Sequence, residues 1–256
     1  MKQNIESQCK KAHHEFSNLL VLSTEQKNKI LIEMAFGLEN HVDYIIKENM
    51  KDILNAKKKL VEPHIIDRLS LTKERILGMA NAIREVVNID DPIGKVLKEW
   101  QQPNSLFIQK ITVPIGVIGV IYEARPNVTA DAIALAVKSN NCIVLRGSSS
   151  AYNSNFAIVE VLKKSGISKG LPENAIQLLS DTSRESVKTF LQMNQYLDLI
   201  IPRGSAELIT TVCRHATVPT IETGAGNCHV YIDKYANIEK AIPIIFKKKI
   251  FWFLPK

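Results

Sequence analysis

The chain has 256 residues, of which 45% are hydrophobic and 23% charged. This is close to an average globular protein and excludes collagen-like, disordered and disulfide-scaffold classes. The net charge is +7, but Lys247, Lys248, Lys249 and Lys256 lie in the last ten residues, and setting their four charges aside leaves +3. That is too small a surplus for a nucleic-acid role founded on bulk charge.

Cys9, Cys142, Cys213 and Cys228 show no C-x-x-C spacing. They read as free thiols in a reducing compartment. The first six residues have no apolar run behind a basic start, so no secretory signal is expected. The longest apolar stretch, residues 114–122, falls far short of the roughly 20 residues that span a bilayer. The expectation is a cytoplasmic protein without membrane or nucleic-acid partners.

Residues 1–100 read as helical. Ser23 and Gln26 have capping-box spacing, and Ile30, Leu31, Met34, Ala35 and Leu38 follow at helical intervals. Pro63 breaks the next stretch. A further helix follows Thr72, with Ile76, Met79, Ala80, Ile83 and Val87 on one face. The lysine run at 57–59 reads as a solvated helix end, and Asp91-Pro92 as a turn.

From residue 114 the rhythm changes. Strands are expected at 117–122, 142–145, 175–179, 197–201, 218–221 and 229–232. Helices are expected at 128–139, at 151–164 with a stop at Gly166, after a capping pair Thr182/Glu185, and at 206–214. Short apolar strands alternating with amphipathic helices predict an α/β fold with a parallel sheet covered on both faces.

Ligands of such sheets bind at the carboxyl ends of the strands. Four loops fall there: 123–127, 146–150, 203–205 and 222–226. Small residues at a helix start let backbone N–H groups approach an anion, which suits the second and third loops to phosphates. Neither loop fits G-x-G-x-x-G or the Walker pattern. On spacing alone, a phosphate site and an ordinary strand–turn–helix connection stay equally open.

Residues 113–129, Val-Pro-Ile-Gly-Val-Ile-Gly-Val-Ile-Tyr-Glu-Ala-Arg-Pro-Asn-Val-Thr, closely resemble the gamma-glutamyl phosphate reductase (glutamate-5-semialdehyde dehydrogenase) family of the aldehyde dehydrogenase superfamily. Residues 198–204, 216–219 and 221–231, the last reading Ile-Glu-Thr-Gly-Ala-Gly-Asn-Cys-His-Val-Tyr, agree with it, as do residues 91–97. The resemblance implies a Rossmann-like cofactor domain preceded by N-terminal helices. It also implies NADPH-dependent reduction of L-glutamyl 5-phosphate to glutamate 5-semialdehyde and phosphate, the second step of proline biosynthesis. A cysteine thiolate displaces phosphate and hydride reduces the resulting thioester. The family allows a homo-oligomer.

Residue by residue, the resemblance makes Asn127 the oxyanion-hole amide; the alternative is a helix N-cap. Glu222 matches a glutamate near the nucleophile; the alternative is a solvated strand-end carboxylate. Glu123 and Arg125 match a substrate-binding loop, where a guanidinium suits a carboxylate or phosphate; the alternative is an Arg–Glu pair holding that loop. Arg146, Gly147, Ser148 and Ser149 match the loop beside the adenosine ribose and its 2′-phosphate. Gly204, Ser205 and Gly224 complete the NADP(H) set. The family has Arg-Gly-Gly-x-Glu where this chain has Arg146-Gly147-Ser148-Ser149-Ser150. Losing that glutamate removes a repulsion against a 2′-phosphate. His215 and His229 lack partners at metal-ligand spacing, so no metal site is expected, and Cys228 reads as a small buried thiol.

The implied organisation is an N-terminal helical part at 1–100, an NADP-binding α/β domain at 101–236, and the start of a catalytic domain from 237. The family's nucleophile lies beyond the helix that begins near Ile238, in a Gln-Arg-Pro-Ser-Val-Cys-Asn context. The resemblance ends near residue 245, and the Lys/Phe-rich residues 247–256 carry no cysteine. A frameshift or premature stop is the simplest reading, with negligible turnover expected. The alternatives are a non-catalytic NADP-binding fragment and a tail that anchors to membrane surfaces.

Overall fold

The computed structural model describes residues 2–222 and 229–253. The chain forms two compact units, 1–223 and 224–256, each taken by itself.

The first unit opens with five helices, α1 (Lys2–Leu20), α2 (Thr24–Asn40), α3 (Val42–Lys58), α4 (Pro63–Leu69) and α5 (Lys73–Asn88). Ser23 and Gln26 form the expected capping box at α2, and Thr72 caps α5. Pro63 starts α4 at a position where its missing N–H costs nothing. An antiparallel hairpin follows, β1 (Val96–Gln101) with β2 (Phe107–Ile111). Its residues are almost all exposed, so no buried face printed a period in the sequence, and the helical reading to residue 100 overran β1.

The sheet comes next: β3 (Val117–Tyr122), α6 (Asn127–Lys138), β4 (Cys142–Arg146), α7 (Tyr152–Ile167), β5 (Ile176–Leu178), α8 (Arg184–Phe190), β6 (Leu199–Arg203) and α9 (Ala206–His215). Strand order is β5-β4-β3-β6, and every pairing is parallel. β3 is buried at all six positions. Right-handed crossovers place α6 and α7 on one face and α8 on the other. α1 packs with α8 and against β4, while α2, α3 and α5 form a third layer over α6 and α7. α8 is capped by Ser183, which accepts from the Ser186 N–H, one residue beyond the expected Thr182/Glu185 pair. Asp181 takes the Ser183 N–H.

Two expected strands do not form. Residues 218–221 make only one parallel bridge, Ile200 to Thr220. The Ile200 N–H donates to the Pro219 carbonyl and the Ile221 N–H to the Ile200 carbonyl. Pro219 has no N–H to extend the ladder. Residues 229–232, in the second unit, are exposed and have no strand assignment; an alternating apolar pattern becomes a strand only where a ladder partner exists. The second unit carries α10 (Ile238–Phe253), started by the Asn237 side chain accepting the Lys240 N–H and containing Pro243. Among the described residues no helix is long and apolar enough to cross a membrane.

The base of β3 is pinned by side chains. Asp198 accepts the Val117 N–H and Asn141 accepts the Gly116 N–H, both at 2.8 Å. Gly116 has φ +130°, and a Cβ there would lie 2.7 Å from the Asp198 carboxyl carbon, so only glycine fits.

A second polar anchor joins the helical layers to the sheet. Lys27, 1% exposed, pairs with Asp91 at 2.6 Å and donates to Asn140. Asn140 in turn donates to the Leu19 and Leu22 carbonyls. Burial pushes the Asp91 carboxyl up, but bonds from Lys27, Thr24 and the Ile93 N–H outweigh it and hold the group below its usual range. A depressed carboxyl stabilises the fold above its unfolded value, near pH 4, and that contribution disappears as pH falls through the folded value. Asp91→Ala strands the buried ammonium and is expected to cost about 3 kcal/mol at pH 7. In urea melts the gap between the variant and the parent should shrink between pH 5 and pH 3; a gap independent of pH would contradict this assignment.

Candidate functional site

The strand order reverses between β3 and β6: the chain steps outward from β3 through β4 to β5, then returns to β3's other side. In open α/β sheets the crevice at such a switch point, beyond the carboxyl ends, is where ligands bind. The two loops there are 123–126 and 204–205, and they are joined directly. The Glu123 N–H donates to the Arg203 carbonyl. The Glu123 carboxylate accepts the Ser205 N–H at 3.1 Å and the Ser205 hydroxyl at 2.9 Å. Ser205 is also the N-cap of α9, accepting the Leu208 N–H. A carboxylate therefore already sits on donors at the positive end of a helix, where an anion is stabilised. Gly204 makes the approach feasible, since a Cβ there would lie 2.7 Å from the Glu123 carboxyl carbon and 2.8 Å from Leu208.

This geometry separates the two readings of Glu123 and Arg125. Glu123 holds the loop through Ser205, and among the described residues Arg125 has no ion pair. Arg125 is exposed and lines two adjoining clefts. The first, about 510 Å³, is bounded by His64, Arg68, Tyr122, Glu123, Arg203 and Ser205 among others. The second, about 490 Å³, is bounded by Arg68, Arg75, Asn127 and Asp131 among others.

Asn127 is the first residue of α6, and the cap position is Pro126, without a side-chain cap bond. The N-cap reading of Asn127 is therefore not what the fold uses. The amide is exposed to the second cleft and donates to Asp131 at a long 3.4 Å. Burial raises the Asp131 carboxyl above its usual range, with the Asn127 bond opposing the shift.

Glu222 is exposed. Because Thr220 pairs in parallel with Ile200, the chain leaves the sheet at 222 on the same rim. The segment that leads to Glu222 is thus separated from β3, which leads to Asn127, by β6 alone.

The 146–150 loop lies on the other side of β3, after β4. Arg146 is half-buried and turned inward, its Nη2 donating to the carbonyls of Thr182 and Ser183 at 2.7 and 2.9 Å. Burial lowers its pKa, opposed by Asp181. Gly147 is buried. Ser148 and Ser150 share a hydroxyl bond at 2.8 Å, and Ser149 and Ser150 are exposed. Gly224, Gly226 and Cys228 lie outside the described residues.

Of the thiols, Cys9 and Cys142 are fully buried, and burial pushes both up to about 12, far from a nucleophilic thiolate at neutral pH. Cys213 is partly exposed on α9.

The sequence singled out neither Arg68 nor Asp131, and pointed to Arg203 only as part of the 203–205 loop. Arg68 comes from α4, far along the chain from the rim. Its one local signal was the i, i+4 spacing with His64, which puts both on one face of a short helix.

The aldehyde dehydrogenase family model matches residues 1–252, past the point near 245 where the resemblance was expected to end. A gamma-glutamyl phosphate reductase from Caldanaerobacter subterraneus is 47% identical over 246 residues, covering 96% of this chain and 59% of that protein. The crystal structure of gamma-glutamyl phosphate reductase from Thermotoga maritima superposes with TM-score 0.87 at 38% identity, covering 96% of this chain and 59% of that one. The Saccharomyces cerevisiae gamma-glutamyl phosphate reductase structure gives 0.78 at 27% identity, covering 94% and 61%. The chain spans a little over half the length of these relatives.

The Ser205 clamp yields a direct check. Ser205→Ala removes a helix cap and half of the Glu123 attachment, and should lower stability by about 1 kcal/mol. Ser205→Asp, which keeps a cap but sets a second carboxylate against Glu123, should not restore the lost stability. Urea unfolding of both variants measures this, and full recovery in the aspartate variant would contradict the clamp.

Proposed function

Because this chain belongs to the aldehyde dehydrogenase family, we propose that it carries the cofactor half of an NADPH-dependent acyl-phosphate reductase, with L-glutamyl 5-phosphate as substrate. The observation that carries this reading is the anion seat at the start of α9, at the topological switch point, with Asn127 one loop away. The relatives' names agree with it.

The residues present fit a dinucleotide. Ser205 offers an N–H and a hydroxyl that already bind a carboxylate, and Gly204 leaves the close approach open. The cofactor pyrophosphate would exchange with Glu123 there. The 146–150 loop would take the adenosine ribose through the exposed Ser149 and Ser150, with Arg146 bracing the loop from within. Gly147 and Ser148 complete that loop. Bound NADPH supplies hydride, and with one proton it converts an acyl phosphate to an aldehyde and free phosphate. Asn127 would turn its amide from Asp131 to the carbonyl oxygen as negative charge develops there. Glu222 faces the same rim as a proton-handling or structural carboxylate. Arg125 would meet a substrate carboxylate or phosphate.

NADP over NAD is what the family resemblance implies, and position 150 is compatible with it. The serine there puts no negative charge beside a 2′-phosphate, where the family has glutamate. The reaction also needs a thiolate; Cys9 and Cys142 are buried, and Cys213 sits near the end of α9 away from the rim, so none of the three suits that role. The 256-residue polypeptide by itself is therefore proposed to bind NADPH without reducing glutamyl phosphate.

Fluorescence titration should show saturable NADPH binding with no turnover when glutamyl phosphate is added. Absence of binding, or clear turnover, would overturn the reading. Ser150→Glu should weaken NADPH about tenfold relative to NADH, the scale of a single unfavourable charge contact; an unchanged ratio would remove the 146–150 loop from the cofactor site.

A further inference from the structure

The first cleft gathers three guanidinium groups against a single carboxylate, Glu123. Arg68, Arg125 and Arg203 all line it, and Arg68 and Arg125 also line the second cleft. All three are exposed, and among the described residues none has an ion pair or a side-chain hydrogen bond. Three other arginines are engaged, Arg75 with Asp67, Arg84 with Glu39, and Arg146 with two carbonyls, while the exposed Arg184 and Arg214 line neither cleft. The carboxylates lining the two clefts are already occupied as well. Glu123 is held by Ser205, Asp67 by Arg75, and Asp131 by Asn127. Three positive charges thus converge on one cavity against the single carboxylate of Glu123, which is held toward Ser205 and pairs with none of them. That arrangement is repulsive in isolation and attractive to an incoming polyanion, and guanidinium groups match carboxylate and phosphate oxygens in pairs.

We propose that Arg68, Arg125 and Arg203 bind the anionic end groups of the substrate beside the cofactor, and that Arg68 sets the preference for a doubly anionic acyl phosphate over an uncharged carbonyl compound. This rests on the reductase reading for the identity of the substrate. Arg68 is singled out by its origin. Arg203 and Arg125 belong to the rim loops that any dinucleotide would meet, whereas Arg68 enters from α4 and stands where the two clefts meet, the second of them reaching Asn127. A residue brought from the helical layer to that junction serves the molecule that must reach Asn127.

Inorganic phosphate is the probe. Phosphorus NMR titration of the full chain should show specific phosphate binding that persists under saturating NADPH. Arg68→Gln should weaken it about tenfold, the loss of one charge-assisted contact, and Arg68→Lys should recover part of it. Arg214→Gln, at the exposed far end of α9, should leave it unchanged while removing the same charge. No phosphate binding, equal losses in the Arg68 and Arg214 variants, or expulsion of phosphate by NADPH would overturn the proposal; expulsion would assign the cluster to the cofactor's phosphates. If NADPH fails to bind but phosphate binding still depends on Arg68, the reductase reading falls while the anion site stands.

Discussion

β3 is the constraint from which the site follows. All six of its residues are buried, and it is hydrogen-bonded in parallel to β4 on one side and β6 on the other. A strand enclosed on both edges and both faces cannot slip register without exposing apolar side chains or unpairing backbone groups. Its position is further set by Asp198 and Asn141 at its base. The height of its carboxyl end is therefore fixed relative to that of β6, and residues 123–127 must meet residues 203–205. The Glu123–Ser205 contact is the product of that registration.

The polar anchors share a design. Lys27 with Asp91 and Asn140 is buried where helical layers meet the sheet. Asp52, also buried, accepts from the backbone and side chains of Asn153 and Ser154 and so holds the start of α7 to α3. Asn49 ties the same Ser154 to the chain after α4 through Leu69 and Leu71. These contacts span twenty or more residues of sequence, several of them more than a hundred. They bring α4, and with it Arg68, to the rim. In the first cleft the arrangement is the opposite: three guanidinium groups converge against one carboxylate, Glu123, and none of them pairs with it. Charge satisfied in the core and unsatisfied in one cavity is the pattern of a binding site.

Much of the α/β half was legible because buried strands and amphipathic helices print different periods. β3, β4, β6, α6 and α9 fell within a residue or two of their expected bounds. The hairpin was illegible because its faces are exposed. Residues 218–221 looked like a strand because Val218 and Ile221 are β-branched, yet Pro219 at the sheet edge limits them to one bridge. Asn127 shows the limits of local reasoning: its position suggested a cap, and Pro126 holds that place instead. Arg125 and Glu123, adjacent enough to pair, do not, because Ser205 from another loop captures the carboxylate. Arg68 could not be placed at all without knowing which helix crosses the rim.

A crystal structure of the 256-residue chain grown with NADPH tests the central assignment most directly. The account requires the pyrophosphate on the Ser205 N–H at the start of α9, the Glu123 side chain displaced from that seat, and the adenosine end beside Ser149 and Ser150. Dinucleotide bound away from the carboxyl ends of β3 and β6, with Glu123 still on Ser205, would contradict it.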